Sequence, residues 1–262
     1  MGWYQPTDGC NEIVIIRALV LSWKMARALG SEARCEPGRA LGAEAGCEAG
    51  NVPSTRQQTV KGSCGAVLLS AGGGSRFTGS HHKLLQPLNG KPVVRWALEA
   101  IAEAGLSPIF VVTGAVDLAE ALREPLANEP EVVVIRNDRW RSGMASSLQS
   151  AISAARDREL EAVVVGLGDQ PGIPASAWRA VAETQAPLAV ATYRGERRNP
   201  VRIHAELWSH LPVDGDEGAR SLIRERSALV TEVACEGNAE DIDTVDDVAK
   251  WQAQLAAHGE DI

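Results

Sequence analysis

The chain has 262 residues, 45% of them hydrophobic and 23% charged. That supplies a full core and excludes a wholly disordered chain, a collagen-like one or a disulfide miniprotein. Its 26 Lys and Arg against 34 Asp and Glu give a net charge of -8. Such a field repels phosphate polymers and anionic bilayers, so neither nucleic acid nor a membrane is expected as partner, although a local cationic pocket stays open.

No run of 18 apolar residues occurs, so no helical span is expected. The nearest approach, residues 13–21 (IVIIRALVL), is broken by Arg17, and Glu12 stands where a signal peptide needs positive charge. Five cysteines without a CxxC pair fit reduced thiols and a cytoplasmic location, not a zinc site or disulfide framework.

The composition changes near residue 62. Residues 30–62 are rich in Gly, Ala, Glu and Pro, with no apolar period to offset their ordering entropy. Residues 1–62 carry seven Lys/Arg and six Asp/Glu, and the remaining 200 carry 19 against 28. The expectation is a disordered or non-native N-terminal extension at 1–62, with one amphipathic helix allowed at 13–29, and a folded domain at 63–262. Sequence upstream of the true start and a regulatory arm are the two accounts of the extension.

Beyond Gly62, short apolar runs alternate with helical periods. Strands are expected at 66–69, 109–112, 132–135, 162–167, 188–192 and 229–234. Helices are expected at 92–104, 116–127, 145–155, 175–183, 217–226 and 245–257. Continuous apolar strands between helices specify an α/β domain with a mostly parallel sheet covered on both faces. Ligands of such sheets bind beyond the carboxyl ends of the strands, which puts the loops 70–83, 113–116, 136–147 and 168–174 on one rim.

Four features on that rim carry chemistry. The first is Ser70-Ala71-Gly72-Gly73-Gly74-Ser75-Arg76-Phe77, with Lys83 beyond. Successive glycines let backbone N–H groups approach phosphate oxygens, and Arg76 and Lys83 would neutralise their charge. Neither GxxxxGK[ST] nor GxGxxG is satisfied. The second is Gly168-Asp169-Gln170-Pro171, where Asp169 serves either as a Mg²⁺ ligand or as a turn residue. The third, Asp241-Ile242-Asp243-Thr244-Val245-Asp246-Asp247, places Asp246 and Asp247 as helix-dipole partners and leaves Asp241 or Asp243 for metal or solvent. The fourth, Asn137 to Leu148, offers Ser and Gly at a helix start, as a cap or as a receiver of ribose, base or anion.

In that order, with NxxWxxGMxxSL between, these motifs resemble the MobA-like nucleotidyltransferases, and within them the molybdenum cofactor cytidylyltransferases, over residues 64–257. The resemblance implies a Rossmann-like three-layer sandwich of the nucleotide-diphospho-sugar transferase type. It implies Mg²⁺-dependent joining of a nucleoside triphosphate to a phosphorylated acceptor of molybdopterin type, with release of pyrophosphate and a molybdoenzyme or its maturation factor as further partner. It implies that Ser70, Ala71, Gly72, Gly73, Gly74, Ser75, Ser147 and Gly168 bind the nucleotide, that Arg76 and Lys83 are catalytic, and that Asp169 and Asp243 hold the metal. The Ser-Ala-Gly start of the loop leans towards CTP over the GTP of the guanylyltransferase branch. The segment Thr78-Gly79-Ser80-His81-His82 departs from the family pattern and bears on whether Lys83 reaches the site. Arg194, Arg197, Arg198, Asn199 and Pro200 form a loop that suits either an anionic acceptor or a solvated turn. An NAD(P)H-dependent oxidoreductase and a non-catalytic cofactor carrier are the rival functions. The first lacks its acid after the second strand.

Overall fold

The computed structural model describes residues 13–16 and 63–258. Ten strands and five α-helices occur among them. The strands are β1 (Ile13–Ile16), β2 (Cys64–Ser70), β3 (Pro87–Leu88), β4 (Lys91–Pro92), β5 (Ile109–Thr113), β6 (Val132–Arg136), β7 (Ala162–Leu167), β8 (Leu188–Tyr193), β9 (Glu196–His204) and β10 (Val230–Ala234). The helices are α1 (Val93–Glu103), α2 (Met144–Asp157), α3 (Ala175–Glu183), α4 (Ala219–Glu225) and α5 (Val245–His258).

Eight strands form one sheet in the order β1-β6-β5-β2-β7-β9-β8-β10, and β3 pairs with β4 in a separate hairpin. Neighbours β6, β5, β2 and β7 are mutually parallel, as are β8 and β10, whereas β9 runs antiparallel to both β7 and β8. The mostly parallel α/β sheet is therefore the expected one. After β2 the chain builds outward through β5 and β6, then returns to place β7 on the other side of β2. The carboxyl ends of β2 and β7 consequently flank the point where the winding reverses, the place where open α/β sheets leave a crevice.

The alternation of side chains along β2 sets the layers. Ala66 and Leu68 join a buried cluster with Val94, Leu98 and Ile101 of α1 and Trp178 of α3. Val67 and Leu69 join the opposite cluster with Leu148 and Ile152 of α2 and with Trp208 and Leu222. A third cluster lays Val248, Trp251 and Leu255 of α5 over Leu88 and Val93. Ile242, also in that cluster, anchors the acidic segment beside β7, its N–H donating to the Asp169 carbonyl at 2.9 Å.

Three expectations need correction. Residues 116–127 are not a helix. Asp117 caps one turn by accepting from Ala119 N–H, Leu122 N–H reaches Leu118 O, and Pro125 prevents continuation. The buried Arg95 takes the carbonyls of Glu124 and Pro125 that a helix would have used, at 2.9 and 2.6 Å. The strand β9 is additional, hidden by its polar start Glu196-Arg197-Arg198-Asn199. Finally, Ile13–Ile16 is an edge strand antiparallel to β6, with Ile13 opposite Ile135, where an amphipathic helix was allowed. Four consecutive β-branched residues favour extended backbone. The rest of residues 1–62, where the extension is expected, lies outside the described residues. No helix among the described residues is long and apolar enough to cross a membrane.

Candidate active site

At the carboxyl end of β2 the chain turns at Ser70-Ala71 into the three glycines, and the loop lines a cavity of about 830 Å³. The predicted residues Ser70, Ala71, Gly72, Gly73, Gly74, Arg76, Lys83, Ser147, Asp169 and Asp243 all line it, whereas Ser75 and Gly168 do not. Gly168 packs behind it, where an added Cβ would meet the buried hydroxyl of Ser70.

Lys83 is the centre of the charge arrangement. Its Nζ donates to Asp169 Oδ2 at 2.6 Å and to Asp243 Oδ1 at 2.9 Å. Both carboxylates thus sit within 3 Å of one nitrogen, and those two oxygens are less than 6 Å apart. Burial alone would lower the Lys83 ammonium, but the two aspartates outweigh it and hold its pKa above the usual lysine value. Arg76, mostly exposed at the mouth, reaches the other oxygen of Asp243 at 2.9 Å. Asp169 Oδ1 is buried and has no hydrogen-bond partner among the described residues. Asp241 sits beside the pair and accepts from Gln170 Nε2 at 2.7 Å; burial first, and then the charge of Asp169, push its pKa up.

The Thr78–His82 segment does not carry Lys83 away. His82 ties it down: the ring Nδ1 accepts from Leu84 N–H at 3.3 Å, so Nε2 carries the proton and donates to the Gly72 carbonyl at 3.0 Å. Burial pushes the His82 pKa below its usual value, in keeping with a neutral ring. Among the described residues His81 pairs with Ser80 alone.

Of the wall residues, Asp216 and Arg220 escaped the sequence reading, which held Trp140, Arg141 and Gly143 only as members of the Asn137–Leu148 segment. The indole of Trp140 spans the glycine loop and the end of β5: a Cβ on Gly73 would lie 3.0 Å from it, and one on Gly114 2.7 Å from both Trp140 Cβ and the Ala71 carbonyl. Arg141 stacks over the same indole at 4.4 Å. Gly143 precedes α2 at φ +107°, a conformation that L side chains rarely adopt, with Gly215 backbone against its open side. Asp216 and Arg220 then enter the cavity from the segment before α4 and from α4 itself. The only trace of this in sequence is the glycine spacing of Gly215 and Gly218, both at positive φ.

Arg220 and Asp241 also line a second cavity of about 560 Å³, which continues to Arg197, Arg198 and Asn199. Arg197 and Arg198 are half-exposed and paired with Glu232 and Glu196. Asn199 Nδ2 donates to Gln170 Oε1 at 2.8 Å, which ties this loop to the residue after Asp169. Neither thiol near the sheet is poised for attack, since burial pushes Cys64 up to about 11 and Cys235 above its ordinary value.

The profile of the MobA-like NTP transferase domain matches residues 66–230, the span from β2 to the start of β10. The chain belongs to this family. The bifunctional protein GlmU of Geobacter metallireducens is 32% identical over 139 residues, 52% of this chain and 28% of that protein. The chain thus matches little more than a quarter of that curated relative. A nucleotidyl transferase from Methanothermobacter thermautotroptrophicus shares the fold with a TM-score of 0.63 at 24% identity, over 75% of this chain and 99% of that one. Rv0371c of Mycobacterium tuberculosis H37Rv, solved in complex with manganese, gives 0.58 at 25% identity, over 73% and 98%. The NTP transferase domain therefore carries the glycine loop, Lys83 and Asp169, while Asp243 lies just beyond the matched span.

Proposed function

We propose that the chain transfers a nucleotidyl group from a nucleoside triphosphate, CTP in preference to GTP, to a phosphorylated acceptor of molybdopterin type, with release of pyrophosphate. One observation carries this reading. Lys83, Asp169, Asp243 and Arg76 converge on the mouth of a glycine-loop cavity at the reversal point of the sheet. A carrier needs no such charge arrangement, and a dinucleotide enzyme needs an acid after β5, where Thr113-Gly114-Ala115 stands.

The residues fit a divalent metal. Asp169 and Asp243 supply hard oxygen ligands, and Asp169 Oδ1 is a buried oxygen with no partner among the described residues. Among the described residues no group of three or more His, Cys, Asp or Glu is placed to hold an ion, so phosphate oxygens would complete the shell. Mg²⁺ bound there supplies Lewis-acid neutralisation of the reacting phosphate.

The remaining work belongs to the chain. Backbone N–H groups of Gly72, Gly73 and Gly74 hold the triphosphate. Lys83 and Arg76 offset charge that gathers on the non-bridging oxygens as an acceptor phosphate oxygen attacks the α-phosphorus and the bond to the β-phosphate breaks. The two anions repel in solution, so holding them in line is a large part of catalysis. Arg220 and the second cavity beside it suit an anionic acceptor adjacent to Asp241. Assaying pyrophosphate release with each of four nucleoside triphosphates and a panel of phosphorylated acceptors tests the reading. Release with CTP and a molybdopterin-type acceptor is expected; no release with any pair sinks it.

A further inference from the structure

The segment from the end of β6 into α2 contains a polar chain whose direction the hydrogen bonds fix. Asn137, at the end of β6, is 2% exposed. Its Oδ1 accepts from Arg139 N–H at 2.9 Å, which settles which end of the amide is oxygen. Both amide hydrogens are then committed, one to Ser146 Oγ and one to Ser147 Oγ, each at 2.9 Å. Ser146 passes its own proton back to the carbonyls of Gly143 and Arg139, at 2.9 and 3.1 Å. Ser147 differs: the bond from Asn137 is its only side-chain hydrogen bond among the described residues, and it lines the cavity. A hydroxyl has one proton and two lone pairs. With Asn137 on one lone pair, Ser147 keeps its proton for whatever enters.

We propose that Asn137 is a positioning residue that fixes Ser147 as a hydrogen-bond donor into the nucleotide cavity, where it takes an acceptor atom of the bound nucleotide's sugar or base. The inference rests on the nucleotide reading above and deepens it. Asn137 touches no ligand. It acts by polarity: an amide at this position presents N–H to Ser147, whereas a carboxylate of the same shape would demand the Ser147 proton and turn its lone pairs to the cavity.

The test is calorimetric titration of the full chain with Mg²⁺–CTP, Mg²⁺–GTP and Mg²⁺–dCTP. Loss of one neutral hydrogen bond should weaken CTP binding by about three- to tenfold in Ser147→Ala. Ser147→Thr, which keeps the hydroxyl, should restore most of it. Asn137→Asp should weaken binding at least as much, and most of this further penalty should vanish in the Asn137→Asp/Ser147→Ala double variant, because of the amide's three bonds only the one to Ser147 leads to a hydroxyl with a proton free for the cavity. Should Asn137→Asp fail to fold, Asn137→Ala carries the same cycle without a buried charge. The dCTP titration separates the two sources: a Ser147→Ala penalty lost with dCTP assigns the contact to the 2′-hydroxyl, and one that persists assigns it to the base or the rest of the sugar. Tight wild-type binding with Ser147→Ala unchanged, or additive penalties in the double variant, overturns the inference and leaves the function standing. Failure of the wild type to bind any of the nucleotides overturns both.

Discussion

Lys83 occupies the position between two carboxylates that a cation would otherwise fill. Asp169 and Asp243 are each only about a fifth exposed or less, at 15% and 21%, so removing the ammonium leaves two like charges facing across less than 6 Å. Lys83→Ala should therefore lower Tm in metal-free protein, and Mg²⁺ should restore more of that loss than it adds to the wild type. Turnover should fall about 10²- to 10³-fold, the scale of a lost transition-state donor. Melting curves with and without Mg²⁺, beside kcat/KM, check both parts; equal Mg²⁺ effects on the two proteins would remove the metal from this pair. His82 gives a pH signature of its own. Its folded pKa lies below the unfolded value of about 6.5, so the stability it contributes is present above that pH and lost as pH falls through the folded value. Between those two values the unfolded chain binds the proton and the folded one does not. The wild-type Tm should drop more steeply below pH 6.5 than that of His82→Gln, and parallel curves would show that the ring is not held neutral.

At the scale of the element, the walls of the cavity depend on packing between loops. Gly114→Ala would put a methyl group against both the Ala71 carbonyl and Trp140, displacing the indole and with it the glycine loop. Overpacking of this kind costs about 1–3 kcal/mol. Nucleotide KM should rise together with the loss of Tm, and a KM unchanged at lower Tm would show that Trp140 does not brace the nucleotide site. The same packing explains which elements were legible beforehand. The strands β2, β5, β6 and β7 are apolar on both faces and flanked by helical periods, so hydrophobic pattern and length alone specify them, and the loops beyond their ends carry the glycines, Lys83 and Asp169. The convergence of Asp243 on Lys83 was legible only through the family resemblance, because it depends on α5 packing over Leu88 and Val93 and on Ile242 N–H bonding to the Asp169 carbonyl. Residues 116–127 carry a helical apolar period that Pro125 and the side chain of Arg95 override, and β9 begins with four polar residues that hide its pairing. Asp216 and Arg220 act through tertiary approach, which a linear pattern does not encode, and Trp140, although a member of the motif NxxWxxGMxxSL, braces the glycine loop only through such an approach.

For the molecule as a whole, the decisive question is what residues 1–62 contribute. Among the described side chains, the three buried clusters run from Cys64 onward. The contribution of β1 that is visible is a four-residue antiparallel ladder on β6, from Ile13–Ile135 to Ile16–Val132. That ladder lies three strands from β2, and the cavity opens at the ends of β2 and β7, so its loss leaves the site intact. A net of about 0.5–1.5 kcal/mol per hydrogen bond makes the backbone bonds of the ladder worth a few kcal/mol. At roughly 2–4 °C per kcal/mol for a domain near 200 residues, deletion of 1–62 should lower Tm by no more than about ten degrees and leave nucleotide binding unchanged. It also bares the β6 edge, whose unpaired N–H and C=O groups are a template for another strand. The truncated chain should accordingly show more concentration-dependent association than the full chain in light scattering or sedimentation. A truncated chain that is unfolded, or one that folds but no longer binds nucleotide, would make the N-terminal segment part of the working domain instead of a cover for one edge.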